Sequence, residues 1–258
     1  MTIAVDPLPH DRVAIVTGSG AARVGNSIAR ALASRGYRLA LHAHRNIEGA
    51  RKTADEVRAT GADAIVLTGD LRDEDVVRTM VAQAYDHFGR IDALVNAAAA
   101  WERKKLEDVR AADVRLHLEI NVLGSFLCCQ QVGLRMVGQK QGGAIVNFGD
   151  WAIERPYEDY AAYFPSKGAI PAMTRSLAVE LGRRNPKVRV NAILPGPVLF
   201  QPTTSPAEQA EAIAGTLAQR AGRPADVAQA VNLLLENEFI TGACLPVDGG
   251  RTIFSGGT

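Results

Sequence analysis

Val13-Ala-Ile-Val16 runs into Thr17-Gly-Ser-Gly-Ala-Ala-Arg-Val-Gly25, and a helical pattern begins at Asn26 or just before it. A short apolar run, a glycine-rich turn and a helix in this order make a strand-turn-helix unit. Glycines at such a turn let the backbone approach a pyrophosphate, and the free amides and dipole of the helix N-terminus stabilise its charge. The spacing departs from the usual G-x-G-x-x-G, because counting from Gly18 puts Arg23 where the third glycine belongs. Gly18, Ser19, Val24 and Gly25 are the candidate backbone cradle, and Arg23 is a candidate contact for phosphate or substrate.

Outward from this unit, apolar runs at 38–41, 64–67, 93–95, 144–147, 188–193 and 244–247 alternate with helical patterns near 26–35, 47–60, 73–88, 107–138, 159–184 and 224–236. The runs are apolar on both faces, as in a sheet covered on both sides, and parallel crossovers are the economical way to join them. The expectation is a single α/β domain over residues 10–258: a doubly wound, seven-stranded parallel sheet of the Rossmann type. Pro195-Gly-Pro-Val-Leu-Phe-Gln-Pro-Thr-Thr-Ser-Pro206, with four prolines, reads as a ligand-ordered or mobile loop, and a substrate loop is placed around 197–215.

The bulk numbers restrict the partners. With 258 residues and 47% hydrophobic content, the chain is long enough for one substantial core. Twenty-nine basic against 28 acidic residues give a formal charge of +1, which points away from nucleic acid and anionic membranes and toward a small-molecule substrate. Cys128, Cys129 and Cys244 suit neither a disulfide framework nor a metal site, so no metal is expected and a reducing cytoplasmic setting fits. The N-terminal stretch lacks a basic region followed by an apolar core, so export and membrane insertion are not expected.

After the second strand stands Leu41-His-Ala-His-Arg-Asn46. An acidic residue there would accept from the ribose hydroxyls of NAD, whereas arginine accommodates the 2′-phosphate of NADP. Arg45 is the main phosphate candidate, with His42, His44 and Asn46 as supporting donors or as plain surface residues, and NADPH is the expected cofactor. Further strand ends carry Gly69-Asp-Leu71, Asn96-Ala-Ala-Ala-Ala100 and Pro195-Gly196. Late in the chain come Tyr163 and Lys167, four apart on one helical face, with Asp150 thirteen residues before the tyrosine.

Taken together and in this order, the motifs from about residue 10 to 250 resemble the short-chain dehydrogenase/reductase family. The resemblance implies that Tyr163 is the general acid, that Lys167 lowers its pKa and binds the nicotinamide ribose, and that Asn121 holds a relay water. It further implies that Asp70 and Leu71 border adenine, that Asn96, Ala97 and Ala98 line the middle of the cofactor, and that Pro195, Gly196 and Val198 flank nicotinamide. Family members are commonly tetramers, so a homotetramer is expected, and the C-terminal Gly249–Thr258 stretch is placed within reach of a neighbouring subunit.

Asp150 stands where most of the family has a serine. A carboxylate accepts from N–H groups and repels a carbonyl oxygen, which points to a nitrogen heterocycle. The pteridine reductase branch resembles this chain in that aspartate, in the His-x-His-Arg run and in an arginine within the glycine-rich turn, with Trp101 as the residue that stacks on a pterin. The expected substrate contacts are therefore Trp101, Asp150, Tyr163 and Arg23, and the expected activity is NADPH-dependent reduction of a pteridine or folate-like ring. A carbonyl or enoyl reductase with an idiosyncratic Asp150 is the alternative. Pro165 and Pro171 predict that the helix carrying Lys167 starts close to Tyr163 or bends there.

Overall fold

A computed structural model describes residues 11–20 and 23–254. The chain alternates β1 (Val13–Val16), α1 (Val24–Ala33), β2 (Arg38–Ala43), α2 (Ile47–Arg58), β3 (Ala64–Thr68), α3 (Glu74–Phe88) and β4 (Ala93–Asn96). A second half follows with α4 (Ala111–His117), α5 (Gly124–Val137), β5 (Gly143–Phe148), α6 (Phe164–Gly182), β6 (Val188–Pro195), α7 (Pro206–Ala214), α8 (Pro224–Glu236) and β7 (Cys244–Val247). All seven strands pair in parallel, in the order β3-β2-β1-β4-β5-β6-β7. The doubly wound sheet expected from the sequence is thus the observed one. Of the expected 10–258 span, residues 10, 21–22 and 255–258, including the end of the C-terminal stretch, lie outside the described residues.

The strands are apolar throughout because both faces are covered. Along β1, Val13 and Ile15 join the core under α3, α5 and α6, while Ala14 and Val16 join the one under α1, α2 and α8. Successive side chains of a strand point to opposite faces, so four consecutive apolar residues feed two cores. On α1 the buried Ile28, Ala29 and Leu32 form one stripe. Full burial of a leucine is worth about 1.5–3 kcal/mol, and Leu32→Ala would lose that and leave a cavity.

Chain direction reverses its winding at β1, which lies between β2 and β4, so the crossovers leave it on opposite sides. That opens a crevice at the carboxyl ends of β1 and β4, where α/β sheets bind ligands. Three departures from the sequence expectation sit around this crevice. The helix expected over 107–138 is interrupted by a π-helical turn at Leu118–Leu123 between α4 and α5. The helix expected from 159 begins at Phe164, with Pro165 in its first turn, where a missing N–H breaks no helical bond, and it runs on through Pro171. Within the expected loop, Ser205 and Glu208 form a capping box that starts α7, with Pro206 at its first position.

Candidate active site

The glycine-rich turn is shaped by two close approaches. Gly18 has φ +71, and a Cβ there would lie 2.8 Å from the backbone N and Cα of Ala98. Gly25 faces the carbonyl oxygen of Gly18, which a Cβ would meet at 3.0 Å. Val24 opens α1, and exposed Arg23 sits at its N-cap without a capping side chain. The first turn of α1 holds no acidic residue. A basic cap at the positive end of a helix is unfavourable alone and favourable beside an anion, so this turn fits a phosphate-bearing cofactor. Ser19 turns inward: its hydroxyl donates to Val16 O at 2.9 Å and its N–H to His42 O at 2.8 Å. Its expected role at the cofactor is corrected to holding the turn.

At the end of β2 the four candidates separate. His42 is buried, with Nε2 2.9 Å from Gly69 O. A carbonyl only accepts, so Nε2 carries the hydrogen and Nδ1 faces the Gly18 N–H at 3.5 Å. Burial lowers its pKa, and the expected phosphate donor is instead a neutral strut between β2, β3 and the turn. Asn46 caps α2 by accepting from Gly49 N at 3.0 Å. His44 and Arg45 are exposed, and Arg45 makes no ion pair among the described residues. Of the four, these two remain placed to meet a ribose phosphate.

Asp70 is held by Arg72, whose Nη2 lies 2.6 Å from Oδ2, and that pairing pulls its carboxyl down to about 2. Leu71 is buried against Gly124, where a Cβ would meet the leucine Cβ at 3.1 Å. Asn96, expected beside the cofactor, turns its amide into the core toward Asn147 Oδ1 at 2.9 Å. Ala97 and Ala98 do face the turn, and Ala98 N donates to Thr17 Oγ1 at 3.1 Å. Asn121, within the π-turn, grips the backbone of Ala100 with both ends of its amide, at 2.8 and 3.0 Å, and donates to Ser166 Oγ at 2.9 Å. Both amide hydrogens are therefore committed, and the side chain positions the loop before Trp101.

The reacting groups meet above β5. Asp150 Oδ1 accepts from Ala152 N at 2.9 Å, and Oδ2 accepts from the Tyr163 hydroxyl at 2.8 Å. Burial pushes the Asp150 carboxyl up. Tyr163 is 5% exposed; burial, then the charge and hydrogen bond of Asp150, raise its phenol well above 10. Lys167 is buried one turn on, donates to Phe148 O at 2.7 Å, and is brought down to about 8 by burial, with the Asp150 charge opposing. The expectation that Lys167 lowers the tyrosine is thus corrected for the protein alone. The Asp150 carboxylate dominates, because it touches the phenol and the ammonium does not. Such a phenol stays protonated at neutral pH.

Around this pair the chain builds an aromatic wall. Trp101 stacks on Tyr160 with centroids 5.9 Å apart and planes 24° apart, and lies 6.5 Å from the Tyr163 ring. His117, at the end of α4, approaches the same ring at 5.9 Å and 74°. At the end of β6, Pro195 is half-buried, Gly196 presses on Asp248, and Val198 turns into the core toward α8 instead of lining the crevice. Helix α7 is tied down by Arg103 to Glu208 at 2.8 Å and by Arg251 to Ala212 O, and the loop before it by Gln201 Nε2 donating to Trp101 O at 3.3 Å. The sequence reading missed His117, Tyr160 and Arg103. The four-residue step from His117 to Asn121 and the Tyr157, Tyr160, Tyr163 spacing were the available signals.

Similarity to known proteins agrees with this geometry. Residues 20–252 match the family described as enoyl-(acyl carrier protein) reductase. The chain is 35% identical over 240 residues to the human 3-oxoacyl-[acyl-carrier-protein] reductase, covering 93% of this chain and 98% of that protein. It is 31% identical to the versicolorin reductase of Emericella nidulans, covering 93% and 95%. Among solved structures, the acetoin dehydrogenase of Enterobacter cloacae superposes with a TM-score of 0.84 at 31% identity, over 95% of this chain and 97% of that one. With the sheet order, the glycine turn and the Tyr163/Lys167 pair in place, the chain belongs to the short-chain dehydrogenase/reductase family of nicotinamide-dependent oxidoreductases.

Proposed function

We propose that this protein is an NADP(H)-dependent reductase of a small carbonyl compound, a 3-oxoacyl substrate or a ketone. The observation that carries the reading is the Tyr163 phenol, kept protonated beside Asp150 at 2.8 Å. The names of its relatives, 3-oxoacyl reductase among them, support a carbonyl as the acceptor. Arg45 and His44, exposed after β2, suit the 2′-phosphate that distinguishes NADP(H).

Bound nicotinamide supplies the hydride. Tyr163 gives its proton to the developing alkoxide, and Lys167, one helical turn on, steadies the phenolate left behind. Asp150 stands where the usual hydroxyl donor does, and with both oxygens accepting it holds the Tyr163 hydroxyl in place, so that proton donation to the carbonyl falls to the tyrosine. Trp101 and Tyr160 offer a flat apolar wall to the substrate.

A pteridine or folate-like substrate is the second reading, favoured by Asp150 itself and by the Trp101–Tyr160 stack. There the ionised Asp150 would accept from a ring N–H, and Tyr163 would give its proton to the nitrogen of the C=N bond whose carbon the nicotinamide would reduce. Arg23 would contact substrate or phosphate. Loss of NADPH absorbance with acetoacetyl thioesters, cyclic ketones, dihydrobiopterin and dihydrofolate across a pH range separates the two. Ketone turnover that falls as pH rises supports the first reading, and pterin turnover alone supports the second. No oxidation above background with any of them sinks both.

Self-association, as a tetramer, belongs to the same proposal. An apolar cleft between the π-turn, α5 and α6 is lined by Leu118, Val122, Leu123, Phe126, Met173 and Leu177. Phe126→Glu is expected to lower the sedimentation mass, and a monomeric parent protein would refute the assignment.

A further inference from the structure

His117 is 1% exposed. Its Nδ1 lies 2.8 Å from the carbonyl oxygen of Asp113. A carbonyl only accepts, so Nδ1 carries the hydrogen, and in that tautomer Nε2 is the acceptor. Among the described residues nothing donates to it. Buried acceptors are almost always paired, and an apolar side chain would fill this place without leaving a polar atom unmatched.

The position of the ring says what the lone pair is for. His117 packs against the Tyr163 ring at 5.9 Å and stands one turn before Asn121, whose amide holds the backbone next to Trp101. Trp101 presents a second unmatched nitrogen, the buried Nε1, and its ring also lies against Tyr163 at 6.5 Å. One acceptor and one donor, both buried and left over by the fold, thus belong to rings packed beside the reacting tyrosine. Other polar groups beside the tyrosine have partners: Asn121 in Ala100 and Ser166, Tyr163 in Asp150, and Lys167 in Phe148.

We propose that His117 is a substrate-contacting residue, its Nε2 accepting a hydrogen bond from an O–H or N–H that the substrate carries within a few atoms of the carbon being reduced. This rests on the reductase reading and narrows it. The substrate is a donor-bearing carbonyl compound or ring, such as a hydroxy ketone or a cyclic amide, and not a plain ketone. A site built to pair a substrate donor rejects an analogue lacking it, because its own acceptor is then stranded.

The test compares NADPH oxidation with acetoin, with its isostere isopropyl methyl ketone, with ethyl acetoacetate, and with dihydrobiopterin as the ring N–H arm. The parent protein should favour acetoin over isopropyl methyl ketone, or dihydrobiopterin over both plain carbonyl compounds, by about tenfold or more in kcat/KM. His117→Leu should erase that preference, read as the ratio of kcat/KM between the compounds, and His117→Gln, which keeps an acceptor, should restore part of it. Which donor-bearing compound responds distinguishes a hydroxyl from a ring N–H. Equal turnover of the isosteres by the parent, or an equal loss on all compounds in His117→Leu, overturns the assignment and leaves the reductase reading standing. Silence with every compound removes the reductase reading and this inference with it.

Discussion

The hydroxyl of Tyr163 donates to Asp150 Oδ2 at 2.8 Å, joining a buried ring to a half-buried carboxyl. Both ionisations lie above their ordinary values. Burial disfavours the carboxylate, and the carboxylate in turn disfavours the phenolate. A serine in place of Asp150 would leave the tyrosine with burial alone.

Asp150→Ser is therefore expected to bring the Tyr163 ionisation down, read as tyrosinate absorbance in a pH titration against a Tyr163→Phe control. Ketone turnover should hold or rise, and pterin turnover should fall by roughly tenfold or more, the usual scale of a lost charged hydrogen bond. An unchanged titration would show that the carboxylate does not govern the phenol.

Lys167 predicts how stability changes in alkali. Its folded pKa, about 8, lies below its ordinary 10.5, so between those values the unfolded chain binds a proton that the folded chain does not. Stability should then rise with pH across that window, by about 2–3 kcal/mol from this group at most. Lys167→Met should flatten the rise in urea-melt free energies and reduce turnover by about 10²-fold or more. Parallel curves for the two proteins would refute the burial argument.

Arg45 carries the cofactor preference. Arg45→Glu should weaken NADPH binding about 10- to 100-fold by fluorescence titration and leave NADH within a few fold, since a charge-assisted phosphate contact is worth about 1.5–3 kcal/mol. Its exposure and lack of an ion partner among the described residues predict an unchanged Tm.

Gly18→Ala tests the turn. The left-handed φ of +71 and a Cβ 2.8 Å from the Ala98 backbone are both adverse. A loss of about 2 kcal/mol or more in thermal or urea unfolding is expected, because a strained backbone position alone is worth about 1–3 kcal/mol. Gly61→Ala is the control: φ is +90 there, but nothing lies within 4 Å of a Cβ, so a smaller loss is expected.

Much of the fold was legible because its signals are local. Runs apolar on both faces can only be covered strands, and β1, α8 and β7 fall at the residues their patterns indicate. The π-turn at Leu118–Leu123 was not legible, since its apolar pattern continues that of α4 and α5. Helix α7 was concealed by four prolines, although Ser205 and Glu208 carried a capping signal.

For the site, residue type and order alone determined that Gly18, Arg45, Tyr163 and Lys167 would come to one edge of the sheet, because strand ends in a doubly wound fold converge there. Only the tertiary structure decided which polar atoms face a ligand. Ser19, His42 and Asn96 have the chemistry of cofactor contacts, yet turn inward because buried backbone and amide groups there need partners. Sequence likewise placed Asp150 near the tyrosine, but its hold on the phenol and the unmatched nitrogen of His117 depend on distance and burial. Those quantities arise from packing between distant segments, which spacing along a chain does not encode.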